Sequence, residues 1–124
     1  MSEKPGVVIV GATGTVGRGI VRVLSAGGRS VVAVARDEAR LAELAQAVPG
    51  IVTVVGSVDG DAMAAETAAQ VRVAAPDVIE AVIISINIPI FMTPLLDCPA
   101  DKLLAVLQGN LVTHLCAARA FIPL

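Results

Sequence analysis

Short apolar runs alternate along the chain with longer stretches in which apolar residues return every three or four positions. Val7–Val10 is a continuous β-branched run, as expected for a strand covered on both faces. From Val16 to about Ala26 the spacing places Ile20, Val21 and Leu24 on one helical face, and Gly27-Gly28 stops the helix. Ser30–Ala35 predicts a second strand. Asp37 is placed to cap a helix over Glu38–Ala47, with Leu41, Leu44, Ala45 and Val48 at helical spacing and Pro49-Gly50 after them. Ile51–Val55 predicts a third strand. A helix capped by Asp59 or Asp61 then runs to about Ala75, with Met63, Thr67 and Val71 inward. Pro76-Asp77 turns into a fourth strand, Val78–Ile84. An irregular, proline-rich segment from Asn87 to Pro99 precedes a long helix that ends near Phe121. Leu103, Leu107, Leu111, Leu115 and Ala118 share one of its faces.

Strands alternating with helices imply right-handed crossovers and a parallel sheet. The expected class is α/β: a Rossmann-type, doubly wound sheet of order 3-2-1-4, in one domain over residues 1–124. In that arrangement the ligand crevice lies beyond the carboxyl ends of the first and fourth strands. Those ends are Gly11–Gly17 and Ser85–Asn87.

Composition narrows the class further. The apolar fraction is 56%, with two Phe, no Tyr and no Trp, so the core is built from Val, Ile, Leu and Ala. A chain this apolar is expected to sit in an oligomer or to lack a piece that covers it. The net charge is −2, and no basic stripe with interleaved aromatics points to nucleic acid. Met1–Pro5 is polar and lacks a signal-peptide apolar region. The most apolar stretch, Ala81–Leu96, is too short and too interrupted for a membrane span. Cys98 and Cys116 form no metal-ligand pattern and read as free cytosolic thiols, so no metal is expected.

The chemistry concentrates in Gly11-Ala12-Thr13-Gly14-Thr15-Val16-Gly17, a G-x-x-G-x-x-G turn between the first strand and the first helix. Gly11 allows a tight exit from the strand, Gly14 lets phosphate approach the backbone, and Gly17 lets the helix lie against the sheet. The amides of the helix start, helped by its dipole, then face an anion. Gly11, Thr13, Gly14, Thr15, Val16 and Gly17 are therefore candidate contacts for a dinucleotide pyrophosphate. At the end of the second strand an acidic side chain would favour NAD(H), but the residues are Ala35-Arg36. A guanidinium there favours NADP(H), with NAD(H) as the alternative. Asp37 either neutralises Arg36 or turns to its helix as a cap.

Together with Asn110-Leu111 in the long helix, this turn, the Ala35-Arg36-Asp37 edge and the strand Ala81–Ile84 with its loop resemble the short-chain dehydrogenase/reductase family. The likeness spans essentially the whole chain. It implies an oxidoreductase that passes hydride between NADP(H) and a small carbonyl or alcohol substrate, in a cytoplasmic homo-oligomer. It also implies that Ser57 and Val58, standing where the family often has Asp-Val, lie near adenine. Ser85, Ile86 and Asn87 follow the fourth strand, where the family has Asn-Asn-Ala-Gly, and are implied to border the cofactor ribose. Asn110 matches a catalytic position that helps hold a water in the proton relay to the active-site Lys. The family's Ser and Tyr-x-x-x-Lys lie beyond the fifth helix, and this chain contains no Tyr at all. The chain is therefore expected to be the cofactor-holding, amino-terminal half of such an enzyme, inactive alone. His114 shares a helix face with Asn110 but, lacking a carboxylate or Cys partner, reads as packing or interface. Two other readings compete: a noncatalytic NAD(P)-binding or sensor module, and an inactive fragment that acts only in association.

Overall fold

The computed structural model describes residues 4–75, 78–88 and 94–123. The Pro76-Asp77 turn and part of the proline-rich segment lie outside the described residues. In chain order the elements are β1 (Gly6–Val10), α1 (Thr15–Ala26), β2 (Ser30–Ala35), α2 (Glu38–Ala47), β3 (Val52–Val55), α3 (Asp61–Ala74) and β4 (Ile79–Ile84). A 3-10 turn at Leu95–Asp97 follows, then α4 (Ala100–Leu107), a π-helical turn at Gln108–Val112, and α5 (Thr113–Phe121). The strands form one parallel sheet of order β3-β2-β1-β4, as the alternation predicts.

β1 is buried along its whole length, and its side chains alternate between two cores. Val8 and Val10 join Val32 and Val34 of β2 against α3 and α5, with Ala64, Ala68, Val71, Ala117 and Phe121. Val7 and Ile9 join Val31 and Ala33 against α1 and α2, with Val21, Leu41 and Leu44. The sheet is thus covered on both faces at its centre, which is why β1 and β2 carry continuous apolar runs. β3 and β4 are the edges. Val52 and Val55 are exposed on β3, and Glu80 and Ala81 on β4. An ion pair between Arg29, just before β2, and Glu80 spans the sheet's amino-terminal end.

Local signals place most boundaries. The carboxylate of Asp37 accepts the backbone N–H of Arg40 at 3.1 Å, capping α2. At the end of α1, the N–H of Gly27 donates to Val23 O at 3.0 Å. Three expectations need correction. Neither Asp59 nor Asp61 caps α3: the cap is Gly60, at φ +106°, while Asp59 and Asp61 pair with Arg36 and Arg119. Met63 is half exposed, and the inward face of α3 is Ala64, Thr67, Ala68 and Val71, because small residues let α3 lie close to α5. The third correction concerns the long helix. Leu103, Leu107, Leu111 and Leu115 face outward, and its core face is Thr113, Cys116, Ala117 and Phe121. The helix is apolar on two faces, so periodicity found a real stripe but not the one that packs on the sheet.

Candidate cofactor-binding site

The carboxyl ends of β1 and β4 meet the start of α1 in one interlocked turn. Gly11 has φ +87°, and its N–H and that of Ala12 both donate to Val34 O, at 2.9 and 3.1 Å. A Cβ on Gly11 would overlap the carbonyl of Ser85, and one on Gly17 would overlap the carbonyl of Gly11. Both positions therefore require glycine. Gly14 differs: the nearest atom to a Cβ there is Gly11 O at 3.5 Å, so its α-carbon borders open space. Gly14 is the N-cap of α1 and offers no side-chain cap, and the first turn holds no acidic residue. The leading amides of α1 thus have no side-chain acceptor, the condition that suits an incoming anion.

This turn opens into a cleft of about 680 Å³. Of the residues singled out by sequence, Gly11, Thr13, Gly14, Arg36, Asp37, Ser57, Val58, Ser85, Ile86 and Asn87 line it. Thr15, Val16 and Gly17 do not: the Val16 side chain is 67% exposed, and Gly17 is buried beneath the turn. Ser85 continues the strand ladder, its N–H donating to Val10 O at 2.8 Å.

At the end of β2 the charges are already engaged. Arg36 Nη1 lies 3.2 Å from Asp59 Oδ2, so Asp59, rather than Asp37, is its carboxylate partner. Arg40, a cleft residue that sequence reading assigned no role, donates from Nη2 to Thr13 O at 3.1 Å and braces the glycine turn. Its signal was the four-residue step from Arg36 across the start of α2. Behind β3, the hydroxyl of Thr67 accepts the N–H of Ser57 at 3.0 Å and donates to Ser57 O at 2.7 Å. The Ser57 hydroxyl in turn accepts the N–H of Asp59 at 3.1 Å.

Asn110 does not line the cleft. Its Oδ1 accepts the N–H of Ile88 at 2.9 Å, and its Nδ2 donates to Ile88 O at 3.3 Å. It clamps the backbone beyond β4 from inside the π-turn, while Gly109 and Thr113, both unforeseen, reach the cleft wall. The Thr113 hydroxyl donates to Gly109 O at 2.8 Å, satisfying a carbonyl within the widened turn. His114 stays off the cleft, and its buried Nδ1 has no hydrogen-bond partner among the described residues. Among the described residues no His, Cys, Asp and Glu cluster fits a metal ion, and no helix is long and apolar enough to cross a membrane.

The open amides and the guanidiniums lining one cleft of about 680 Å³ fit a dinucleotide. A family profile described as NAD(P)H-binding matches residues 11–120. The chain belongs to the NAD(P)H-binding family. Among solved structures it is similar to a protein from Pseudomonas syringae described as a short chain dehydrogenase, at 26% identity and TM-score 0.86, covering 98% of this chain and 52% of that one. It is also similar in fold to serine dehydrogenase from Escherichia coli, at 22% identity and TM-score 0.83, covering 95% and 54%. A short-chain type dehydrogenase/reductase from Mycobacterium ulcerans matches at 15% identity and TM-score 0.87, covering 99% and 47%. The chain spans about half the length of these structures. No curated protein matches it in sequence.

Proposed function

We propose that the chain is the cofactor-holding part of a short-chain dehydrogenase/reductase that transfers hydride between NADP(H) and a carbonyl or alcohol substrate. The observation that carries this reading is the uncapped start of α1, beside a cleft that Arg36 and Arg40 also line. When bound, the nicotinamide gives or takes the hydride. The chain's own residues hold and orient the cofactor. Gly14 and the leading amides of α1 receive the pyrophosphate, and Arg36 serves a 2′-phosphate. Ser57 and Val58 border adenine, and Ser85, Ile86 and Asn87 border the ribose nearer the reacting ring. Asn110 fixes the Ile88 backbone, and the family likeness assigns it a water of the proton relay. The family's Ser, Tyr and Lys are matched to no residue of these 124. A cytoplasmic homo-oligomer completes the proposal.

The test is calorimetric titration of the chain with NADP+ and NAD+, followed by NADPH oxidation assays on the chain joined to its natural continuation. Micromolar binding supports the reading, and no binding at millimolar nucleotide overturns it. A second reading is a noncatalytic NAD(P)-binding or sensor module. Tight nucleotide binding without turnover of any carbonyl by the extended protein would select it.

A further inference from the structure

The carboxylate of Asp59 stands in the cleft beside Arg36 on a built support. Ser57 is held at both backbone atoms by the buried hydroxyl of Thr67, and its own hydroxyl accepts the N–H of Asp59. The backbone of Asp59 is thereby tied to α3. Its side chain meets Arg36 at 3.2 Å, and both residues line the cleft. Both side chains also reach solvent, with exposures of 48% for Asp59 and 75% for Arg36. Such a pair is weak and exchangeable.

We propose that Asp59 moderates the preference for NADP(H) by competing with its 2′-phosphate for Arg36, an inference that rests on the nucleotide reading of the cleft. A phosphate arriving at Arg36 meets a carboxylate already within hydrogen-bond reach of the same guanidinium. It must share that guanidinium with the carboxylate and sit beside it, so charge repulsion weakens the hold on NADP(H). An unsubstituted ribose has no such conflict, and its hydroxyls can donate to a carboxylate. Asp37 Oδ1 instead accepts the N–H of Arg40, and the Arg40 guanidinium reaches Thr13 O, so neither makes the ion pair that Asp59 makes with Arg36. The preference therefore reflects the Arg36–Asp59 pair rather than the guanidinium alone.

The experiment uses adenosine 2′,5′-bisphosphate and AMP, which differ only in the 2′-phosphate and need no nicotinamide pocket. Calorimetric affinities are measured for the wild-type chain, Asp59→Asn, Arg36→Gln and the double variant, with circular dichroism to confirm folding. Asp59→Asn is expected to raise the bisphosphate-to-AMP affinity ratio about fivefold, the scale of one exposed ion pair. In the Arg36→Gln background the same change is expected to move the ratio less, giving a coupling between the two sites. Ser57→Ala, which frees the Asp59 backbone, is expected to shift the ratio in the same direction. An unchanged ratio in a folded Asp59→Asn chain, with both probes bound by wild type, overturns this proposal alone. Binding of neither probe to the wild-type chain overturns the cofactor reading and the proposal with it.

Discussion

At Gly14 and Gly17 the same residue type serves opposite ends. A methyl group at Gly17 would overlap the carbonyl of Gly11, whereas one at Gly14 would meet no protein atom closer than 3.5 Å. Gly17→Ala is expected to destabilise the fold by about 1–3 kcal/mol, the usual cost of overpacking, as read by urea denaturation. Gly14→Ala is expected to leave the denaturation midpoint nearly unchanged and to weaken nucleotide binding at least tenfold by calorimetry, because its methyl points into the phosphate path. Asn110 gives a second contrast. Asn110→Ala removes two hydrogen bonds to Ile88 in a half-buried place and is expected to cost about 1–3 kcal/mol. Asn110→Asp is expected to cost more, since a carboxylate oxygen then faces the Ile88 carbonyl that Nδ2 now serves. The glycine turn was legible in sequence because its geometry is local. Asp37 was legible as a cap for the same reason, its acceptor lying three residues from the donor it holds. The Arg36–Asp59 pair was not, because 23 residues and the crossover from β2 to β3 separate its members.

At the scale of elements, the helix from α4 through α5 was foreseen as one amphipathic unit and proved to carry two apolar faces. The inward face, with Cys116, Ala117 and Phe121, closes the core over β1 and α3. The outward face presents Leu103, Leu104, Leu107, Leu111 and Leu115, each at least 44% exposed. A four-residue repeat reports which side chains share a face, but not what covers that face. The π-turn at Gln108–Val112 was also illegible, since nothing in the leucine spacing marks the widened turn. If the proposed homo-oligomer forms, this outward stripe is the apolar helix face open to it. Leu111 is 53% exposed, so Leu111→Lys is expected to leave stability within about 0.5 kcal/mol. The same change is expected to shift the sedimentation profile toward monomer. Loss of stability without a change in association would assign Leu111 to the core instead.

Across the whole molecule, the strand order and the three-layer arrangement followed from the alternation of patterns. β1 and β2 occupy the centre and are sealed by two clusters, whereas among the described residues β4 pairs with β1 alone. Beside its free edge runs a groove of about 330 Å³, lined by Ile79, Ala81, Val82, Ile84, Phe121 and Ile122. The backbone groups of such an edge form an open template for another strand, and the adjoining apolar groove rewards pairing. This association differs in kind from packing through the leucine stripe, and one charge separates the two. Ala81 is exposed and has no large side chain to lose, so Ala81→Lys adds a charge at the edge with little expected effect on the core. Concentration-dependent, open-ended association is expected to fall in Ala81→Lys, while any discrete dimer is expected to persist. Leu111→Lys is expected to do the reverse. Sedimentation velocity of both variants over a range of concentrations reads the two outcomes apart. If Ala81→Lys leaves the large species untouched, the β4 edge is not where this chain meets its neighbours.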